Sequence, residues 1–332
     1  MKKTIQVIFF LLAVTSCVAQ ENQKLAQTGF QFLSVTSDAR GAALGEAMTS
    51  LGAGSSALFF NPAGMAGMAG LVDLTASTNQ WIADINHNAY SIAVNPARGQ
   101  YGVIGFSVQT VDYGDFYGTR VDKNAKLGYV DTGIFTLSSL AVGVGYAKQL
   151  TDRFSVGGQV RWVRQDLGES VVPVITAVDT SLKDVSNELT PLAFDFGTQF
   201  QTGLKSLVFG MSVRNFSKEI KYAEEGFQLP LVFNLGISMN VMDVIKVGGI
   251  EQSLWVSVDA CHYRDHAEQV KVGVDYRLLK LLSLRGGYMS SNDESGLTFG
   301  FGVSYYGVTF DYANTPFGVF DTVQRMTVRF AM

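Results

Sequence analysis

Three histidines, His87, His262 and His266, are the only imidazoles among 332 residues, and their spacing offers little chemistry. His262 and His266 stand four apart, a spacing that gathers two imidazoles on one face of a helix; in His262-Tyr263-Arg264-Asp265-His266, which reads as a loop, it does not. All three fall at predicted loops, where solvated side chains are expected. No Gly-x-Ser-x-Gly elbow occurs, and no Ser/His/Asp set converges. Gly143-x-Gly145 and Gly300-x-Gly302 lack the rest of a dinucleotide fingerprint and lie inside predicted strands, where glycine makes room for a packed plug. The acids Asp112, Asp115, Asp122, Asp131, Asp166, Glu169, Asp179 and Asp184 cluster on two predicted loops; their spacing fits no calcium loop and reads as a solvated rim. The sequence therefore predicts no enzyme, no cofactor and no metal, and a net charge of −4 argues against nucleic acid.

The elements that carry these residues alternate. In the segment Gly296-Leu297-Thr298-Phe299-Gly300-Phe301-Gly302-Val303-Ser304-Tyr305 every odd residue is large and apolar, and every even one is Gly, Ser or Thr. One face suits lipid and the other a crowded lumen. Such segments recur at 71–79, 88–96, 100–111, 132–148, 153–166, 191–202, 206–216, 230–240, 252–263, 268–276, 280–290, 295–305, 306–313 and 323–332. Fourteen is the even number a closed barrel requires. Connections alternate between tight turns and longer loops near 112–131, 167–190, 217–229 and 314–322, with 241–251 the one long member of the short class. The predicted fold is a 14-stranded antiparallel transmembrane β-barrel, residues 71–332, in a Gram-negative outer membrane with both chain ends periplasmic. Charged residues at 16% fall below the quarter typical of soluble domains.

Lys2 and Lys3 precede the apolar run Val7 to Val14, too short to span a bilayer, so residues 1–19 read as a secretory signal peptide. Cleavage after Ala19 and lipidation at Cys17, behind Val14-Thr15-Ser16, both remain open readings. Without residues 1–19, which hold two Lys and no acid, the net charge is −6. Cys261 is then the lone cysteine, a small packed residue rather than a reactive one.

Strand parity also sorts the charges. Tyr146, Tyr276, Tyr305 and Phe330 near one rim, and Trp162, Tyr288 and Tyr312 near the other, fall on outward positions as girdle residues. In the last strand Met326, Val328, Phe330 and Met332 point one way, and Arg325, Thr327 and Arg329 the other. Arginines do not face lipid, so Arg161, Asp195, Asp275, Arg285, Asp311, Arg325 and Arg329 are assigned to the lumen, with Asp259, where the opposite charges are available to pair. An apolar last strand with an aromatic is also what the outer-membrane assembly machinery reads; Phe330 is third from the end rather than last.

Residues 20–70 do not alternate, and 28–68 are rich in small residues. They read as a hatch inside the lumen, with Asn61-Pro62-Ala63-Gly64 as a turn in which Pro sets φ and Gly permits a positive one. The competing reading is a loose periplasmic arm. Gly29-Phe30-Gln31-Phe32, Asp38-Ala39-Arg40, Ala43-Leu44-Gly45, Asn61-Pro62-Ala63-Gly64 and the closing Phe310-Asp311-Tyr312-Ala313…Pro316-Phe317-Gly318 together resemble the PorV/PorQ family of outer-membrane proteins. That likeness is specific at the two ends and architectural between them. It implies a non-enzymatic component or accessory of type IX protein secretion, with translocon subunits and secreted cargo as partners. The family is similar in turn to the FadL long-chain fatty-acid channels, which share fourteen strands, a luminal hatch and an Asn-Pro-Ala element; the alternative function is therefore a passive channel for a hydrophobic small molecule.

Overall fold

A computed structural model describes residues 28–175, 180–222, 225–245, 250–290 and 296–332. The signal-peptide reading, Cys17 and Asp179 lie outside the described residues. Alternation dictates the wall. β1 (Val72–Gln80), β2 (Asn86–Val94), β3 (Val103–Val121), β4 (Tyr129–Thr151) and β5 (Phe154–Ile175) pair in sequence as antiparallel neighbours. β6 is one stave in two pieces, Thr180–Leu189 and Leu192–Gln201, interrupted at Thr190-Pro191, where proline has no N–H to give the ladder. Then follow β7 (Val208–Phe216), β8 (Val232–Asn240), β9 (Gln252–Tyr263), β10 (Gln269–Leu278), β11 (Leu282–Met289), β12 (Leu297–Tyr305), β13 (Val308–Phe317) and β14 (Phe320–Ala331). β14 pairs with β1 from Asp73↔Ala331 to Gln80↔Gln324, which closes a barrel of fourteen staves.

The barrel is apolar outside and polar inside. Phe106, Val144, Phe196, Phe209, Leu235, Leu284, Phe299 and Val328 are exposed, whereas Asp73, Asp195, Asp259, Asp275 and Arg161 are buried. In water such an outer surface is a liability; around a barrel it is the lipid contact. Val272 lies outward beside Tyr288, while Thr298 points in, donating to Ala43 O and accepting from Gly45 N, both at 3.1 Å. Val272→Arg is therefore expected to cost about 2–4 kcal/mol if it sits near the bilayer midplane. Thr298→Arg should instead displace the hatch. Denaturant midpoints of the folded protein read the first and protease sensitivity of residues 28–68 reads the second; indifference at both positions would overturn the assigned parity.

Two predicted loops are strand. β3, β4 and β5 run to 19, 23 and 22 residues, about twice what a membrane stave needs, so 112–131 and 167–190 are mostly hairpin extensions. Beyond the bilayer both faces meet water, the two-residue period disappears from the sequence, and backbone pairing continues without it. Three bulges mark this zone. Asp112, Asp131 and Asp166 each accept the backbone N–H two residues on, from Gly114, Gly133 and Gly168, at 2.8–3.0 Å, and each glycine has positive φ. These acids shape backbone. At the far end of β13 the expected loop 314–322 is likewise a tight hairpin.

Residues 28–70 lie in the lumen. Asp38 caps the short helix Ala39–Ala43 by accepting the Gly41 N–H at 2.6 Å, and the left-handed pair Gly45 and Glu46 follows just after the helix. Small residues let it lie close to the wall: at Gly287 a Cβ would run into Gly45 and Leu44 of the hatch, and at Gly300 into Ala43. Gly145 likewise faces Leu58, whereas Gly143 and Gly302 accommodate wall side chains. Leu44, Met48, Leu51, Leu58, Phe60 and Met65 form one apolar core against Ala93, Val103 and Ala147; Phe30, Phe32 and Leu33 form another against Val111, Ala141 and Val163.

The hatch runs the length of the barrel. Its start pairs with the β7–β8 connection at Thr28↔Gln228, Thr36 O meets Arg325 at the level of Asn79, and Gly70 abuts Met332. The first described residue thus lies at the mouth with the long hairpins, and Met332 at the opposite one. Between these two points the chain crosses the lumen once before its first strand; the N-terminal end itself lies outside the described residues.

Candidate luminal and rim site

Each luminal charge is placed by strand parity and held by specific partners. Arg285 of β11 donates to Asp275 (3.2 Å) and Asp311 (2.6 Å), which flank it on β10 and β13. Asp275 also takes Arg277 (2.8 Å) and, from the hatch helix, Arg40 (3.5 Å). Arg161 pairs with Asp195 at 2.8 Å and also donates to Asn215, whose left-handed backbone marks a slip between β6 and β7. Arg329 bonds Asp73 through two nitrogens, at 2.8 and 2.6 Å, and Asp73 in turn accepts Ser55 N–H and Oγ–H of the hatch. Asp259 takes the Thr49 N–H at 2.9 Å and has no ion-pair partner among the described residues. Lys271, Glu46, Arg40 and Asp73, none of them among the predicted site residues, complete the set: Lys271 Nζ meets Glu46 at 2.6 Å and Tyr263 OH at 2.8 Å.

Asn61 is 1% exposed; its Oδ1 accepts the Ala63 N–H, and its Nδ2 donates to Thr49 O (2.7 Å) and Thr198 O (3.1 Å). Pro62 opens the 3₁₀ turn Pro62–Met65. Gly64 does not take the positive φ expected of it; it sits inside that turn, where a Cβ would crowd Ala57 and the Leu51 carbonyl. Met326, Val328 and Phe330 face outward on β14, and Met332 just beyond it is exposed. His87 is not a loop residue: it points inward from β2, its ring edge-on to Trp81 at 6.1 Å. Cys261 is free and buried. No cluster of metal-ligating side chains is present among the described residues.

Two spaces open on the hairpin mouth. One, of about 360 Å³, lies between hatch and wall and is lined by Trp81, Phe317, Met289, Tyr263, Lys271 and Arg325 among others. The second, of about 1180 Å³, is a rim crevice beside β7. There the Thr180–Leu189 half of β6 pairs only with β5, and β7 stops at Phe216, leaving the wall short. The crevice touches luminal Thr28, Gly29 and Gln165 and also Val213 and Phe233, which are on the outward face. Tyr222 and Phe227 roof it, stacked at 5.5 Å, with Phe30 of the hatch behind. The opposite mouth holds a further cavity of about 500 Å³ lined by Leu51, Met68, Asp73, Trp255 and Arg329. Packed hatch residues lie between the two ends.

A latch fixes the start of the hatch. Asp265, in the β9–β10 loop, accepts from Thr28 Oγ1 (2.6 Å), Gln31 Nε2 (2.8 Å) and His266 Nδ1 (2.7 Å). Burial alone would raise its carboxyl, yet the hydrogen bonds outweigh burial and hold it well below the usual carboxylate range. His266 is raised by the same bond. Asp265 contributes fully above its unfolded value, about 4, and is lost as pH falls through its depressed one; His266 contributes fully below about 6.5 and is lost as pH rises through its raised one. The latch should be strongest between those limits. Thermal unfolding of the protein against pH checks this: Asp265→Asn should flatten the profile on both sides, and an unchanged profile would show that the latch carries no stability.

No family profile matches the chain, and no curated protein is similar to it in sequence. Solved structures are similar in fold. The Ralstonia pickettii toluene transporter TbuX superposes with a TM-score of 0.58 at 14% identity, over 92% of this chain and 99% of that one. The CymD monoaromatic hydrocarbon channel gives 0.58 at 11%, over 90% and 98%. A Pseudomonas aeruginosa FadL homologue gives 0.53 at 12%, over 90% and 98%. At these identities the likeness is one of architecture. The PorV/PorQ likeness rests on the quoted residues alone, and the secretion role it implies draws no support from these comparisons.

Proposed function

We propose that this protein is a non-enzymatic outer-membrane channel for a small, largely apolar molecule, with the hatch as its gate. The observation that carries the reading is the cavity between hatch and wall, open to the hairpin mouth and aromatic on one side, inside a barrel with the architecture of hydrocarbon channels. The rim crevice beside β7 supplies a side route between the lumen and the outward face. The reading is tested by uptake of a labelled aromatic solute into vesicles carrying lipopolysaccharide in the outer leaflet. Saturable uptake above protein-free vesicles supports it, and uptake equal to theirs overturns it.

A second reading keeps the secretion role. The β3–β4 extension exposes Tyr117, Val121, Tyr129 and Ile134 and stacks Phe116 on Phe135 at 5.6 Å, which suits a protein partner. Co-purification from native outer membrane tests it: a translocon that accompanies the wild type and is lost with Tyr117→Ser/Ile134→Ser would support docking.

A further inference from the structure

The hairpin-mouth cavity is electrically unbalanced. Its described lining holds two permanent cations, Lys271 and Arg325, against one carboxylate, Glu46. Glu46 is already committed to Lys271 at 2.6 Å. Arg325, 4% exposed, spends Nε on the Thr36 carbonyl (2.7 Å) and Nη1 on Thr315 Oγ1 (2.8 Å), both uncharged. Among the described residues its Nη2 has no hydrogen-bond partner, and no carboxylate lies within ion-pair distance of it. A buried guanidinium without a counter-ion is costly, and Arg325 Nη2, open to the cavity, is placed to take one. The surroundings say what the anion is attached to. Arg325 lies over the Trp81 ring, 5.6 Å from its centroid, and Trp81 meets Phe317 edge-on at 4.9 Å, with Met289 beside them.

We propose that this cavity binds an aromatic carboxylate, its carboxylate on Arg325 Nη2 and its ring against Trp81 and Phe317. The inference rests on the channel reading for its cavity and goes beyond it in the ligand class: the protein would select a charged aromatic where the toluene transporter's ligand carries no charge. A planar guanidinium with one free nitrogen matches a carboxylate oxygen, and charge-assisted hydrogen bonds are stronger than neutral ones.

The test compares 4-ethylbenzoate with 4-ethylbenzamide, nearly the same shape without the charge, binding to the full-length protein in detergent by calorimetry. The benzoate should bind at least about tenfold tighter, the size of one hydrogen bond to a charged group. Arg325→Gln should erase that preference, and Arg325→Lys should keep part of it. Equal affinity of the two ligands for the wild type, or a preference that survives Arg325→Gln, overturns the proposal. If Arg325→Gln fails to fold, the wild-type ratio alone decides. Vesicle uptake separates this from the channel reading: passage of the amide but not the benzoate defeats the anion site and leaves the channel, whereas passage of neither defeats the channel itself.

Discussion

Deleting residues 28–68 should leave a barrel that still inserts and conducts severalfold more current in planar bilayers than the intact protein. The wall closes through its own ladder, β1 on β14 and each neighbour on the next, and no hatch residue is part of that ladder. What the deletion removes is the filling: the apolar core around Met48, Leu58 and Phe60, and the helix lying against Gly287 and Gly300. Asp73, Asp275 and Asp259 would then face water in place of Ser55, Arg40 and Thr49 of the hatch, so their burial cost disappears together with those partners. The lumen becomes a wet polar pore, as expected of fourteen staves whose side chains cannot fill the bore. Conductance unchanged by the deletion would mean that the filling does not block current.

Asp275→Ala should destabilise the intact protein by about 3–5 kcal/mol, the cost of stranding buried charge when one member of a buried pair is removed. Asp275 is fully buried, accepts from Arg285 of β11 and Arg277 of β10, and forms an ion pair with Arg40 of the hatch. Its loss leaves Arg285 with Asp311 only and Arg40 with the Gly52 carbonyl. Lys280→Ala at the exposed Lys280–Glu251 pair is the control and should change nothing measurable. Urea midpoints of both variants in the same detergent make the comparison; an equal shift in the two would show that Asp275 anchors nothing.

The wall was legible because lipid on one side and packing on the other force a period of two, and that period can be counted. Phe299, Phe301 and Val303 announce themselves in this way. The charges were legible by parity but their pairing was not. Arg329 finds Asp73 across the seam between the last and first strands, 256 residues away, and Asp73 sits at the edge of the first alternating run, where parity had singled it out for nothing. Glu46 and Lys271 were hidden for another reason: half of the pair lies in the hatch, which has no period. The hairpin extensions lost the two-residue signal on leaving the bilayer, yet Asp-x-Gly at 112–114, 131–133 and 166–168 was a readable mark of bulges. Asp131 and Asp166, which read from the sequence as part of a solvated rim, each accept the backbone N–H of the glycine two residues on.

A chain that crosses the bore before forming its first stave ties the order of assembly to its topology. Because the seam joins first strand to last, the ring can shut only after Met332 has been made, and by then the segment from Thr28 to Gly70 must already lie within the circle or be left outside it. The molecule is a bead that forms around its own thread. Anything bulky inserted between Thr28 and Gly70 must be carried into the ring before closure or else hold the ring open, whereas a fusion after Met332 meets no such obstacle.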